Sequence, residues 1–203
     1  MTLVKICGLR SAKDAIAFLE SGADAAGMIL SKGFTRSISS ETADLIRAVI
    51  QDRAQVCGVF VNEPVKSIIR YVKRGTIDWI QLHGQESDEQ IDLLHQELPG
   101  TPIIKAFVIR SAEDLSAAKQ SKADIVLLDG GTGQGTSFDW AMLEGFDRSY
   151  ILAGGLDPNT VKEVIRRFHP YGVDVSSGVE TDGVKDSKKM REFVAAVRQE
   201  EKE

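Results

Sequence analysis

The stretch Tyr150-Ile151-Leu152-Ala153-Gly154-Gly155-Leu156-Asp157-Pro158, running on through Val161–Phe168 to Gly172-Val173-Asp174-Val175-Ser176-Ser177-Gly178-Val179-Glu180, decides the fold. It begins with a short apolar run followed by two glycines. Asp157-Pro158 then sets an N-cap acceptor before a proline at the first helical position. Val161, Val164, Ile165 and Phe168 recur at i, i+3, i+4 and i+7, one face of a helix. A second apolar run, Gly172–Ser176, closes the unit. Strand, helix and strand in this order, with strands apolar on both faces, form a βαβ unit of a parallel sheet.

The same rhythm extends back to the N-terminus. Six more strands are predicted at Leu3–Cys7, Ala25–Leu30, Gln55–Val61, Trp79–His83, Pro102–Val108 and Ala123–Asp129. Helical stripes fall between or after them: Ala12, Ala15, Ile16, Leu19; then Thr42, Leu45, Ile46, Val49; then Val65, Ile68, Ile69, Val72; and finally Met190, Phe193, Val194, Val197. Two less cleanly patterned helices are expected near Ser87–Leu98 and Ala112–Gln120, and a short eighth one from Phe138-Asp139-Trp140. Ser11 with Asp14, and Ser111 with Asp114, read as capping boxes, and Gly22 and Gly75 as helix C-terminal glycines. Eight β-then-α units fit a (β/α)8 barrel close to its lower size of ~200 residues. An open doubly wound sheet accounts for the strand count less well. The whole chain, 1–203, is therefore expected to be one α/β domain, a TIM barrel with its site at the C-terminal ends of the strands.

Composition narrows the function. With 42% hydrophobic and 27% charged residues, the chain is neither disordered, collagen-like nor a disulfide scaffold. Its net charge of −5 provides no global field for nucleic acid or acidic lipid. Only two cysteines occur, Cys7 and Cys57, and no export signal or membrane span is visible, which points to the cytoplasm. The three histidines have no zinc-site spacing, so no metal is expected.

Polar and glycine residues cluster after the apolar runs, where a barrel gathers its loops. Gly154-Gly155 and Ser176-Ser177-Gly178 follow the last two strands, a common place for a phosphate site, because glycine lets backbone N–H groups approach an anion closely. Asp129 ends a strand whose Ile125 and Leu127 share its parity, so it is either an acid or base at the barrel mouth or a carboxylate that fixes the next loop. That loop, Gly130 to Gly135, reads as a lid or a plain surface loop. Cys7 shares parity with Lys5, which could lower its thiol pKa. A buried Lys5 in turn requires a counter-ion, for which Asp174 on the neighbouring eighth strand is the candidate. Before any motif is considered, a small buried hydrophobe is the favoured reading of Cys7. Arg36, after the second strand, could fork a carboxylate or simply be solvated. Cys57 reads as core, and His83 as either pocket wall or rim.

Taken in order, Lys5-Ile6-Cys7-Gly8, Gly58-Val59-Phe60-Val61-Asn62, Gln81-Leu82-His83-Gly84, Phe138-Asp139-Trp140, Gly154-Gly155-Leu156 and Asp174–Glu180 resemble the phosphoribosylanthranilate isomerase family of tryptophan biosynthesis. The resemblance covers essentially the whole chain. It implies a barrel with no cofactor or metal and a small sugar-phosphate substrate. The implied reaction is the Amadori rearrangement of N-(5-phosphoribosyl)anthranilate. By motif match Cys7 would be the general base and Asp129 the general acid. Arg36 would hold the anthranilate carboxylate, and Gly154, Gly155, Ser176, Ser177 and Gly178 the phosphate. The segment before Arg36 lacks the family's frequent aromatic-Pro pair, although the frame Arg36-Ser37-Ile38-Ser39 still selects this arginine. Two other readings compete. The histidine-pathway isomerase resembles a barrel with aspartate as both acid and base, whereas here the first strand ends in cysteine. A catalytically silent sugar-phosphate binder or pathway scaffold would not need Cys7, Asp129 and Arg36 together.

Overall fold

A computed structural model of the chain describes residues 1–131 and 140–200. Eight parallel strands close into a barrel in sequence order: β1 (Leu3–Cys7), β2 (Ala25–Ile29), β3 (Gln55–Phe60), β4 (Trp79–Leu82), β5 (Ile103–Val108), β6 (Ile125–Asp129), β7 (Tyr150–Ala153) and β8 (Gly172–Val175). β8 pairs back with β1, Lys5 opposite Asp174. Outside them lie α1 (Ala12–Ser21), α2 (Ser40–Ile50), α3 (Val65–Lys73), α4 (Asp88–Glu97), α5 (Ala112–Gln120), α6 (Val161–Phe168) and α7 (Ser187–Glu200). After β8 a two-stranded hairpin, β9 (Glu180–Thr181) and β10 (Val184–Lys185), turns through Asp182 and Gly183, both at positive φ as a two-residue hairpin turn requires.

The expected eighth helix is not found among the described residues. The connection from β6 to β7 holds a 3₁₀ turn at Trp140–Leu143, while Phe138, Asp139 and the glycines Gly133 and Gly135 lie outside the described residues. The doubly wound alternative is excluded by closure of the sheet.

Strand alternation produces two apolar layers. Inside the barrel pack Cys57, Ile104, Ala106, Leu127, Ile151 and Ala153. The intervening residues, such as Val4, Ile6, Val126, Leu128 and Val173, face outward into a larger core shared with the helices. α6 and α7 bury the predicted faces, but α1 and α2 are rotated from theirs. On α1 the buried residues include Ala15 and Phe18 while Ile16 is exposed, and on α2 they are Ala43, Ile46 and Ile50 while Leu45 is exposed. A small alanine faces the barrel in both, which allows close approach and lets the larger side chain point to solvent.

The caps follow the sequence in part. Ser111 and Asp114 form a full box, whereas Asp14 accepts from the Arg10 N–H rather than from Ser11. Asp157 caps a turn over Asn159 and Thr160, and α6 itself begins at Val161. Among the described residues no helix is long and apolar enough to cross a membrane, and no group of three acidic, histidine or cysteine side chains is placed to hold a metal ion.

Candidate active site

The C-terminal ends of the strands surround a cavity of about 170 Å³ whose polar wall includes Cys7, Gln81, His83, Asp129 and Asp174. Odd parity in β1 aims Leu3, Lys5 and Cys7 inward, and the same alternation in β6 aims Ile125, Leu127 and Asp129 inward. Cys7 and Asp129 thus reach one cavity from separate sides of the barrel.

Beneath them Lys5 is fully buried, with Nζ 3.0 Å from Asp174 Oδ1, the counter-ion expected from the register of β1 and β8. Burial works against the ammonium, but the Asp174 carboxylate outweighs it and raises its pKa overall, so Lys5 stays charged. Cys57 is core, its thiol pushed up to about 12 by burial.

Opposing effects set the charge states of Cys7 and Asp129. Burial raises the Cys7 thiol above its ordinary value and outweighs Lys5 and Lys185, which pull it down. The expected lowering by Lys5 is therefore present but does not prevail. Burial likewise pushes Asp129 up, but the nearby His83 ring and the Gly131 N–H, which donates to Oδ1 at 2.9 Å, outweigh it and lower its pKa. Cys7 is accordingly a thiol and Asp129 a carboxylate at neutral pH.

His83, left open by the sequence, belongs to the cavity wall. Its Nδ1 lies 3.0 Å from Gln81 Nε2, which donates to it, so Nε2 carries the proton and stands 3.6 Å from Asp129 Oδ2.

The glycines pack as a cradle rather than as ordinary turns. Gly154 has φ +93°, and a Cβ there would lie 2.6 Å from Asp129 Oδ1. A Cβ at Gly178 would lie 1.9 Å from the Leu156 carbonyl oxygen, so the loops after β7 and β8 touch at this point. Gly154, Gly155, Ser176, Ser177 and Gly178 all line the cavity.

Arg36 stands beside this wall. Its loop needs no proline: Ser37 Oγ donates to the Ser31 carbonyl (2.6 Å) and accepts from the Phe34 N–H (3.0 Å), while Ile38 N–H donates to the Ile29 carbonyl (3.0 Å). The guanidinium forks Glu180 through Nε (2.8 Å) and Nη2 (2.7 Å). Burial raises the Glu180 carboxyl, but Arg36 and Lys185 outweigh it and hold it at about 2. Lys185, buried opposite Glu180 in the hairpin, donates to Glu180 Oε1 (2.8 Å) and the Ser176 carbonyl (2.9 Å). Sequence reasoning assigned no role to Glu180 or Lys185. The signal was the Asp182-Gly183 dipeptide, which marks a two-residue hairpin and makes these residues cross-strand partners.

A closed parallel barrel with a thiol, a carboxyl and touching glycine loops around one mouth defines a (β/α)8-barrel enzyme. Residues 4–196 match the model of one family, N-(5'phosphoribosyl)anthranilate (PRA) isomerase, and the chain belongs to it. An N-(5'-phosphoribosyl)anthranilate isomerase of Oceanobacillus iheyensis is 39% identical, covering 98% of each chain. The phosphoribosyl anthranilate isomerase structure from Thermotoga maritima superposes with a TM-score of 0.89 at 33% identity, over 98% of this chain and all (100%) of that one. A further isomerase structure, in complex with reduced 1-(o-carboxyphenylamino)-1-deoxyribulose 5-phosphate, gives 0.87 at 32% identity over 98% of this chain and 100% of that one.

Proposed function

We propose that the mouth of this barrel carries out the Amadori rearrangement of N-(5-phosphoribosyl)anthranilate to 1-(2-carboxyphenylamino)-1-deoxyribulose 5-phosphate, with Asp129 as acid and Cys7 as base. The observation that carries the roles is that both groups line one cavity whose rim is the glycine cradle. The acid protonates the ring oxygen, the C1–O bond opens, and the nitrogen lone pair forms an iminium. The base then removes the C2 proton, and the electrons of that C–H bond form the enolamine. Protonation at C1, with loss of the proton from the C2 hydroxyl, gives the ketone. Backbone N–H groups around Gly154-Gly155 and Ser176-Ser177-Gly178 suit the phosphate end, and Arg36 the carboxylate end. Anchoring both ends orients the sugar between acid and base.

Cys7 is a thiol and Asp129 a carboxylate at neutral pH. The working pair, thiolate and carboxylic acid, contains the same number of protons and is reached by moving one proton from sulfur to carboxylate. Catalysis in this reading uses that minor form, with Lys5 beneath Cys7 favouring the thiolate. A cytoplasmic, single-barrel enzyme acting on a small sugar phosphate, without nucleic acid, membrane, cofactor or metal, completes the proposal. The test is turnover of purified protein, followed by the loss of anthranilate fluorescence, with the histidine-pathway formimino-carboxamide ribonucleotide as the second substrate. Turnover of the anthranilate substrate is expected. Turnover of the second substrate alone, or binding without turnover, overturns the assignment.

A further inference from the structure

Arg36, Glu180, Lys185 and Ser176 form a continuous polar chain from the carboxylate end of the site to its phosphate loop. Arg36 forks Glu180, Lys185 bridges Glu180 to the Ser176 carbonyl, and Ser176 Oγ donates to the Cys7 carbonyl at 3.1 Å. The middle of this chain is buried: the Lys185 and Glu180 side chains are 0% and 5% exposed, whereas Arg36 is 27% exposed. The stem of Arg36 lies against Gly8, where a Cβ would be 2.6 Å from its Cδ. Both ends of the arginine are thus fixed, the stem by the glycine after Cys7 and the head by Glu180.

A guanidinium has two usable edges. Glu180 takes the Nε–Nη2 edge, and the outer edge, Nη1 with the second Nη2 hydrogen, remains for another carboxylate. We propose that Glu180, locked by Lys185, is a positioning residue that holds Arg36 for the substrate's carboxylate. This inference rests on the isomerase reading above. Glu180 touches no reacting atom in it and acts through Arg36 alone. A rival role for the same contact is a placeholder that the incoming carboxylate must expel. The cross-strand Lys185 contact and the burial of the pair argue against expulsion.

The two roles have opposite signs in a binding experiment. Two probes are titrated: reduced 1-(o-carboxyphenylamino)-1-deoxyribulose 5-phosphate, and its phenylamino counterpart without the carboxylate. Glu180→Ala is expected to weaken the first probe about tenfold and to leave the second within about twofold. In an Arg36→Ala background Glu180→Ala should add nothing further to the first probe. Glu180→Gln keeps one acceptor oxygen at nearly the same volume and should recover part of the loss, which keeps the test decisive if the alanine variant misfolds. Tighter binding of the carboxylate probe by either variant, equal loss of both probes, or an undiminished effect in the Arg36→Ala background overturns the inference. Wild-type protein that prefers the carboxylate probe while the Glu180 variants match it overturns this inference alone. Wild-type protein that binds neither probe overturns the isomerase reading and this inference with it.

Discussion

Cys7 sits two residues above a buried, charged Lys5 and still has its thiol raised by burial, so its reactivity depends on a balance of opposing effects. Serine in its place preserves shape but is a far poorer base. Cys7→Ser is expected to fold normally and lose about 10²–10⁴-fold in turnover, the usual general-base contribution. A serine variant within a fewfold of wild type would move the base elsewhere. With Cys7 and Asp129 in the proposed roles, the thiol–carboxylate pair predicts the pH profile. The working microstate has the same proton count, so its share is constant between the two titrations. kcat/KM of wild type should be level through neutrality. It should fall in acid only below the ordinary carboxylate value of 3.8, because Asp129 is lowered, and in base only above the thiol's ordinary 9.0, because Cys7 is raised. An acid limb near neutrality that is lost in Asp129→Asn, and so is not the substrate phosphate's own ionisation at ~6, would contradict the lowered Asp129. At the carboxylate end, Arg36→Ala should cost roughly 1.5–3 kcal/mol in substrate binding, the range for a charge-assisted contact. A mutant that still prefers a carboxylate-bearing ligand as wild type does would remove Arg36 from the clamp.

At the scale of elements, the loops after β7 and β8 touch where Gly178 lies under the Leu156 carbonyl, while Gly154 packs against Asp129 at the end of β6. Adding a methyl group at Gly178 forces those loops apart. Gly178→Ala is expected to cost about 1–3 kcal/mol of stability, typical of overpacking, and to weaken inorganic phosphate or product-analogue binding as well. Gly33 is the contrast: unlike Gly178 it has positive φ, and nothing lies within 4 Å of its added Cβ. Gly33→Ala should show backbone strain alone, about 1 kcal/mol, without loss of phosphate affinity. Thermal melts with phosphate titration check both. Equal loss of phosphate affinity in the two variants would mean that loop contact at Gly178 is irrelevant to the anion site.

Over the whole molecule, the barrel was legible because buried parallel strands leave continuous apolar runs and each βα turn leaves polar residues behind it. The pairing of Lys5 with Asp174 followed from strand adjacency alone, and Asp129 and Cys7 from parity. What could not be read was anything set by summed distances. The stripes on α1 and α2 admitted two faces, and only packing selected Ala15 and Ala43 over Ile16 and Leu45. The pKa directions of Cys7 and Asp129 depend on burial against particular neighbours, and the choice between pocket wall and rim for His83 was open in the sequence, settled only by its place in the cavity lining 3.6 Å from Asp129. Glu180 and Lys185 were hidden because their significance is a three-way contact across a hairpin and a distant loop. The central claim is that this barrel mouth moves a proton through Asp129 and does not merely bind a sugar phosphate. The most direct measurement is turnover beside product-analogue affinity in Asp129→Asn, which preserves volume but cannot deliver a proton. A folded protein with near wild-type analogue affinity and turnover reduced by about 10²–10⁴-fold is expected. Normal turnover, or joint loss of analogue binding and stability, would contradict it, the first by removing the acid and the second by making Asp129 a structural residue of its loop.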